Sequence, residues 1–534
     1  MNTQGLDVLI GEEVFTLLSD EDFQQDWDRL YEACPWGTVF QSRNFVACWY
    51  RTYQGAYLPV LVRAVQEGQL TGLLTLALPQ GGGQLVGAGH FEAEYQCWLS
   101  AEAEGESFIT TALTELQRRL PGHAVHLRFL PPGAPMSWAE ADPRWRAQCV
   151  VQPARRPLMD MAAPDLPKMF RKTEFKNKLN RLRRIGEVRL ERVTDAAAFS
   201  AMLKELAVQY DFRQGAMFNK NRFRENPLKA VFLQELFQLG LLHATVLKVN
   251  EEVIAAIAAV ISKDWVHLGG INIHTPLYAN YYSPGFVHFL MLGQHLSEEG
   301  VAVFDLTPGG DSYKERMATN HDYVHELVVS NKLSFQLKKR LKKGLHDRLI
   351  KSGLRPMSVE LAIRKNIYLF KGKTKAFLNS GLSLLLFKVR EGEKKHYRIL
   401  ADDIKRSESC ASVEVRYNNL NDLLDYDGRG VWQTRWEFLG ESMRRFESGE
   451  RSYTWAEGGR LLACAWLGRA PVGGPAPEGA PVLRGIYCHP AGRGRLAGFL
   501  AAAVACQDGG ELYATAREAY TSQALEAIGF TLVN

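Results

Sequence analysis

The sequence predicts an α/β chain of the α+β type, with mixed, mostly antiparallel sheets flanked by helices. Three observations carry this. Apolar runs pair across tight turns: residues 57–79 (YLPVLVRAVQEGQLTGLLTLALP) turn at Glu67-Gly68, and residues 241–263 turn at Asn250-Glu251. Between such runs lie stretches with one apolar face at helical spacing, such as residues 21–31 with Phe23, Trp27 and Leu30 on one side. Strands and helices do not alternate in the regular order of a doubly wound parallel sheet.

In order, residues 1–160 read as a first unit. A helix at 21–31 and a short helical or turn-rich stretch at 45–53 precede the strand pair of 57–79. GGGQLVGAGH, at 81–90, is a stretch where glycine allows close backbone approach. A helix at 105–119 and the strand HAVHLRFL follow, and residues 131–145 (PPGAPMSWAEADPRW) read as a loop. Residues 161–330 form a second unit. Its elements are a basic helix at 168–185, the strand VRLERV, a helix at 196–209, a loop, and a helix beginning at Pro227. The strands of 241–263 and WVHLGGIN come next, then a turn at Ser283-Pro284-Gly285, a helix at 286–296 and the strands VAVFDL and HDYVHELVVS. Residues 331–427 read as a basic helical linker and accessory segment. There Leu333, Phe335, Leu337, Leu341, Leu345 and Leu349 are spaced for one packed stripe, and HYRILADD and SVEVRYNNL look strand-like. Residues 428–534 read as a further compact unit: a helix, a hairpin, a Pro/Gly/Ala loop, a strand, a helix, a strand and a short helix ending at Gly529.

Bulk properties narrow the function. A chain of 534 residues suits several domains, and 46% hydrophobic with 23% charged residues is ordinary globular composition. No run of apolar residues is long enough to cross a membrane, and the N-terminus lacks the basic-then-apolar pattern of a secretory leader, so the expected location is the cytoplasm. Cys34, Cys48, Cys97, Cys149, Cys410, Cys464, Cys488 and Cys506 form no CxxC pair, which fits scattered buried thiols of a reducing compartment and argues against a metal cluster. The net charge of +5 is too small for a general polyanion binder, but residues 168–184 and 332–375 are basic, the latter with 14 Lys/Arg against two Asp/Glu. Such a strip is either the solvated face of a linker helix or a surface for anionic lipid, RNA or a precursor diphosphate. Leucines at helical spacing favour lipid, that is, peripheral contact at the inner face of the membrane. With no RNP-like, KH or zinc motif and no interleaved aromatics, nucleic acid is not an expected partner, except for tRNA as an amino-acid donor.

Two parts of the chain resemble a known superfamily. LRGIYCHPAGRGRLAGFLAAAVA (483–505) followed by ELYATAREAYTSQALEAIGF (511–530) resembles the GNAT acyltransferase fold, in which a strand feeds a turn of the form Arg/Gln-x-x-Gly-x-Gly/Ala at a helix start. Arg493 and Gly498 match its ends, while Leu496 stands at the central glycine. FRKTEFKNKLNRLRRIGEVRLERV (170–193), YYSPGFVHFLML (281–292) and FDLTPGGDSYKERM (304–317) resemble the FemAB-like and cellulose-biosynthesis-associated branch. FQSRNFVACW (40–49) is similar to the entry motif of that branch's N-terminal half-domain. The resemblance implies tandem GNAT-like domains. It also implies an N-acyltransferase moving an acyl group from acyl-CoA, as co-substrate, to an amine of a sugar, an amino acid or a lipid-linked envelope or exopolysaccharide precursor. No permanently bound cofactor and no metal are expected. Two alternatives stay open: amino-acid transfer from aminoacyl-tRNA, which the basic helices favour, and a non-catalytic scaffold or ligand-sensing module, which Leu496 favours for the C-terminal unit.

The candidate site centres on residues 281–314. Ser283 and Pro284 suit a helix cap and first turn, and Gly285 permits close approach. This is either a plain helix start or a phosphate or pantetheine cradle of backbone N–H groups. In the C-terminal copy the corresponding cofactor-binding positions are Arg493, Gly494 and Gly498. Asp305, at a strand end, either deprotonates or orients the attacking amine or caps the turn at Pro308-Gly309. Tyr313 can donate to a leaving thiolate or an oxyanion, or be a half-buried core ring. Lys314 can pair with a phosphate or an acidic acceptor, or be a solvated charge. Arg213 and Phe218 lie in a segment that resembles the acceptor-pocket region of the family. Tyr282, His267 and Asn272 are further substrate-binding candidates, with His274 beside them. A strand histidine such as His267 is either a base or simply packed. No cysteine sits in a sharp glycine turn, so a thiol nucleophile is not supported. If one unit alone is active, the segment Tyr281 to Lys314 is the expected one.

Overall fold

The structure is a computed structural model that describes residues 5–278, 282–380, 395–400, 413–428, 433–506 and 510–533. Tyr281 and Cys410 lie outside the described residues. The chain divides into two compact units, each assembled from separated stretches: residues 1–203, 226–272 and 285–358 in the first, and 204–225, 273–284 and 359–534 in the second.

The first unit holds a 13-stranded sheet. Its strands are β1 (Gly5–Ile10), β2 (Tyr57–Gln66), β3 (Gln69–Pro79), β4 (Leu85–Gly87), β5 (Trp98–Ser100), β6 (Val125–Leu130), β7 (Cys149–Asp160), β8 (Val188–Val193), β9 (Leu242–Val249), β10 (Glu252–Ser262), β11 (Trp265–His274), β12 (Val303–Asp305) and β13 (Asn320–Val329). Their order across the sheet is β1-β2-β3-β4-β6-β13-β7-β12-β11-β10-β9-β8, with β5 on β3. Most neighbours are antiparallel, as the turns of the sequence require, and Asn250 adopts φ 54° in the β9–β10 turn. The expected boundary at 160 does not separate two sheets. Strand β13, late in the chain, inserts between β6 and β7 and pairs with both.

Several local expectations are revised. Residues 131–145 are not simply loop: Asp142 accepts from Arg144 N at 2.7 Å, and the short helices Trp138–Ala141 and Pro143–Gln148 set Trp138 and Trp145 edge to face at 5.5 Å. The helix expected at 196–209 runs from Ala196 to Phe218, so the segment carrying Arg213 and Phe218 is helical. Gly215 serves packing there, because a Cβ would come within 2.9 Å of Leu439. The basic stretch at 168–185 is two helices, Leu166–Phe170 and Thr173–Arg183. Residues 331–427 do contain helices, Leu333–Lys351 and Pro356–Ser380, but the leucine stripe of the first is not packed. Leu333, Leu337, Leu341 and Leu345 are all more than half exposed.

The second unit holds a seven-stranded sheet of β14 (Lys395–Leu400), β15 (Arg416–Tyr417), β16 (Arg451–Glu457), β17 (Arg460–Arg469), β18 (Pro481–Cys488), β19 (Glu511–Ala516) and β20 (Thr531–Leu532). Its order is β15-β16-β17-β18-β19-β14-β20. β14 and β15 come from the stretch expected to be an accessory segment, so the boundary at 428 is also displaced. A core of Trp455, Phe499, Leu500 and Leu525 fills one part of this unit.

One connection recurs. Parallel neighbours are joined through a helix at β4–β6 (Gly105–Arg119), β11–β12 (Pro284–Glu298) and β18–β19 (Leu496–Ala505). The middle one positions the candidate site.

Candidate active site

Strands β11 and β12 pair only at Trp265–Val303, Val266–Phe304 and His267–Asp305. There β12 stops, while β11 continues to His274. The parallel strands therefore open beyond His267 and Asp305, and a gap at the carboxyl ends of parallel strands is where open α/β sheets take ligands. Within β11, Gly270 has φ 66°, and a Cβ there would stand 2.7 Å from Ala258 O, so only glycine fits. A left-handed residue inside a strand re-aims the side chains beyond it.

Register places a polar row on one face of the sheet. His267 pairs with Asp305, Asp305 with Leu158, and Arg156, two residues from Leu158, shares its face. Arg156 in turn pairs with Asp322 of β13. The side chains meet as the register dictates. Asp305 Oδ2 accepts from Tyr95 Oη at 2.5 Å and lies 2.8 Å from His267 Nδ1 and 3.7 Å from Arg156 Nη1. Asp305 Oδ1 accepts from Thr307 N at 2.8 Å. Arg156 donates to both oxygens of Asp322, at 2.7 and 2.5 Å, and its guanidinium lies over the rings of Tyr95 and Trp265. Phe40 and Trp265 flank the His267 ring.

Asp305 and Tyr95 are fully buried, and His267 is 3% exposed. Burial alone would raise the Asp305 carboxyl pKa, but the His267 hydrogen bond, the His267 and Arg156 charges and the Tyr95 hydroxyl outweigh it and hold it below the usual carboxylate range. Burial, and then the Asp305 charge, push the Tyr95 phenol far up, so it stays a protonated donor. An ionised carboxylate only accepts, so His267 Nδ1 presents a proton to it, and in the neutral imidazole Nε2 is the basic nitrogen. Among the described residues Nε2 has no hydrogen-bond partner. The Asp305 carboxylate has both oxygens occupied, so it orients His267 and does not itself meet an amine.

After β12 the chain turns sharply. Thr307 has φ 62°, Gly309 φ 154° and Gly310 φ 64°. Lys314, in the helix Ser312–Met317, is buried and its Nζ donates to Thr307 O at 3.2 Å and Oγ1 at 2.9 Å. Burial lowers its pKa against the pull of Glu94, Asp311 and Asp305. Arg355 donates to Gly309 O, and to Asp311 Oδ1 at 2.8 Å. Lys314 thus holds this turn, and of its two readings the solvated charge does not fit its burial. Tyr313 packs its ring against Phe289 at 5.5 Å, with its hydroxyl 3.5 Å from Asn272 Nδ2.

Of the expected residues, the structure gathers Asp305, His267, Lys314, Tyr313 and Asn272 in the first unit. Gly285 lies in the first turn of Pro284–Glu298, and Ser283, just before it, has φ 49°. Arg213, Phe218 and Tyr282 belong to the second unit. Tyr282 sets its ring against Tyr278, and burial, helped by the Arg213 charge, brings the His274 pKa down to about 3. Arg493 lies over the Tyr520 ring in a 3-10 turn, Pro490–Arg495, and Gly494 is open on its surface. Leu496 and Gly498 are buried in the helix that follows, so the leucine at the glycine position serves as core. Tyr95, Arg156, Asp322 and Arg355 were not foreseen. The one signal available was Arg156, a charge within an apolar-ended strand.

With this geometry in hand, comparison with known proteins places the middle of the chain. Residues 169–315 match a family model described as an acetyltransferase (GNAT) domain. The GNAT segment supplies His267, Asp305 and Lys314, while Tyr95, Arg156 and Asp322 come from outside it. No curated protein matches the chain. Among solved structures it is similar to a conserved protein of unknown function from Bacteroides thetaiotaomicron (10% identity, 58% of this chain and 97% of that one, TM-score 0.41). It is also similar to L-PGS from Bacillus licheniformis (15%, 52% and 86%, TM-score 0.37) and to FemX (7%, 59% and 98%, TM-score 0.41). At this level the likenesses carry nothing about substrate.

Proposed function

We propose that the protein is an N-acyltransferase that moves an acyl group from acyl-CoA to an amine, with its chemistry in the first unit. The observation that carries this is the Asp305–His267 pair standing where the parallel strands of the GNAT segment part. The thioester lies in the gap beyond His267. The amine nitrogen attacks the thioester carbonyl carbon, a tetrahedral intermediate forms, and its collapse breaks the C–S bond and releases the CoA thiolate. The proton lost by the amine passes to His267 Nε2, directly or through one water. Asp305 keeps that imidazole in the required tautomer, and Tyr95 and Arg156 keep Asp305 ionised and in place. Tyr313, beside the same gap, is the candidate donor to the thiolate. The acceptor is an amine of a sugar, an amino acid or a lipid-linked precursor, as in the FemAB-like branch.

The test is thiol release from a panel of acyl-CoAs with these amine classes, alongside native mass measurement of the purified chain for retained CoA. Turnover that His267→Gln abolishes supports the reading. Binding of charged tRNA without turnover of any acyl-CoA replaces it with amino-acid transfer.

A further inference from the structure

The helix Leu333–Lys351 presents its polar side to the first unit and its apolar side outward. Gln336 Nε2 donates to Ser330 O at 2.6 Å, and Arg340 donates to the carbonyls of Arg146 and Ala147 at 3.1 and 3.0 Å. Gln152 Nε2 and His346 Nδ1 are 3.0 Å apart, and Lys339 lies 3.7 Å from Glu326. On the other side Leu333, Leu337, Leu341 and Leu345 are 80%, 61%, 66% and 56% exposed. At about 100° per residue these leucines span a stripe of roughly 120°. Arg348 falls within the stripe, and Lys338 and Lys342 border one edge. All three are exposed. Monomeric proteins seldom leave so regular an apolar row uncovered.

Charge decides what covers it. The helix has seven Lys/Arg and one Asp. A second copy of the same helix would bring like charges together, whereas an anionic surface attracts them. No helix among the described residues is long and apolar enough to cross a membrane, so the contact lies in the plane of the surface. The following helix, Pro356–Ser380, shows the same habit by itself, with Ile363, Ile367 and Phe370 exposed at helical spacing among lysines and arginines.

We propose that the helix Leu333–Lys351 docks the protein on an anionic lipid bilayer, its leucines entering the acyl boundary and its basic residues meeting the headgroups. This does not depend on the acyl-transfer reading.

The experiment is co-sedimentation of the full chain with vesicles of phosphatidylcholine alone and of phosphatidylcholine with about one third phosphatidylglycerol. Binding is expected to the second and not the first. It should weaken as salt rises from about 0.1 M to about 1 M, which shortens the Debye length from about 10 Å to about 3 Å. Leu337→Glu with Leu341→Glu should abolish binding, and Lys338→Gln should weaken it about fivefold, equivalent to about 1 kcal/mol for one basic residue near such a surface. These positions are exposed, so circular dichroism and melting should match wild type. Equal binding to both vesicle types, or to neither, overturns the proposal. So does a concentration-dependent dimer in sedimentation velocity that Leu341→Glu dissolves, since the stripe would then be a protein interface.

Discussion

Crowding at Asp305 separates two roles that a carboxylate at a strand end can play. Its oxygens are taken up by Tyr95, His267, Arg156 and Thr307 N, so a proton leaving an amine finds His267 Nε2 and not the carboxylate. Asp305→Asn replaces an obligate acceptor by a group that can also donate, and the imidazole tautomer is no longer fixed. We expect acyl transfer to fall by roughly 10²–10⁴, the scale of general-base loss. His267→Gln should fall as far, and the double variant little further, because the two act as one device. Steady-state rates of the three variants check this, and additive losses would mean separate roles. The same carboxylate bears on acid stability. Its folded pKa lies below the unfolded value of 3.8, so its contribution is full above that value and is lost as pH falls through the folded pKa. Urea unfolding should therefore show the wild-type advantage over Asp305→Asn at pH 6 shrinking below about pH 4. Arg156→Met is expected to be the costliest change at the site. It leaves the buried Asp305 and the partly exposed Asp322 without their shared cation, a loss of roughly 3–5 kcal/mol by the same measurement.

At the scale of elements, the gap beside β11 depends on a backbone that only Gly270 can adopt. Gly270→Ala combines φ 66° with a Cβ at 2.7 Å from Ala258 O and should cost roughly 2 kcal/mol. Gly269→Ala, whose Cβ would meet Val260 at an ordinary 3.4 Å, should stay within roughly 0.5 kcal/mol. Paired melting curves decide this, and equal losses would remove the argument for a required glycine at 270. The sequence carried the strand pairs around Glu67-Gly68 and Asn250-Glu251 because alternation and turn chemistry are local. β7 escaped it because Pro153 and Pro157 read as breakers. The structure tolerates them because β12 covers β7 only at Leu158–Asp160, and just beyond it Leu306 N donates to the Pro157 carbonyl at 3.2 Å, a contact that uses no proline N–H. The helix at Leu333 was legible as a helix, but its period says only that the leucines share a face. Whether that face turns inward depends on what it meets. The site divides in the same way: Asp305 stood out as a strand-end carboxylate, whereas Tyr95 reaches it across 210 residues of chain that no periodicity measures.

For the whole molecule, sequence order and spatial assembly part company. Each unit is built from separated stretches, so the boundary expected at 160 cuts through a sheet and the one at 427 through a core. In the second unit Phe212 and Ala216, with Leu277 beside them, pack into a cluster with Leu423, Leu439, Phe446 and Trp466. A fragment of residues 331–534 keeps its whole sheet yet lacks those three residues. Losing a fully buried phenylalanine alone removes roughly 3–5 kcal/mol, a large share of the roughly 5–15 kcal/mol that holds a domain together. The exposed cluster adds a surface that binds hydrophobic dyes. The fragment is therefore expected to retain far-UV circular dichroism, lose near-UV signal from its tryptophans, bind such a dye and melt without a sharp transition. Cooperative melting with native near-UV signal would show instead that residues 204–225 and 273–284 are dispensable to that core. The same logic applies to residues 1–160, which lack β13 between β6 and β7 and so cannot close the first sheet. Adding residues back as far as 330 restores β13, whereas extending to 319 does not, so comparing these two lengths isolates the one strand that closes the sheet.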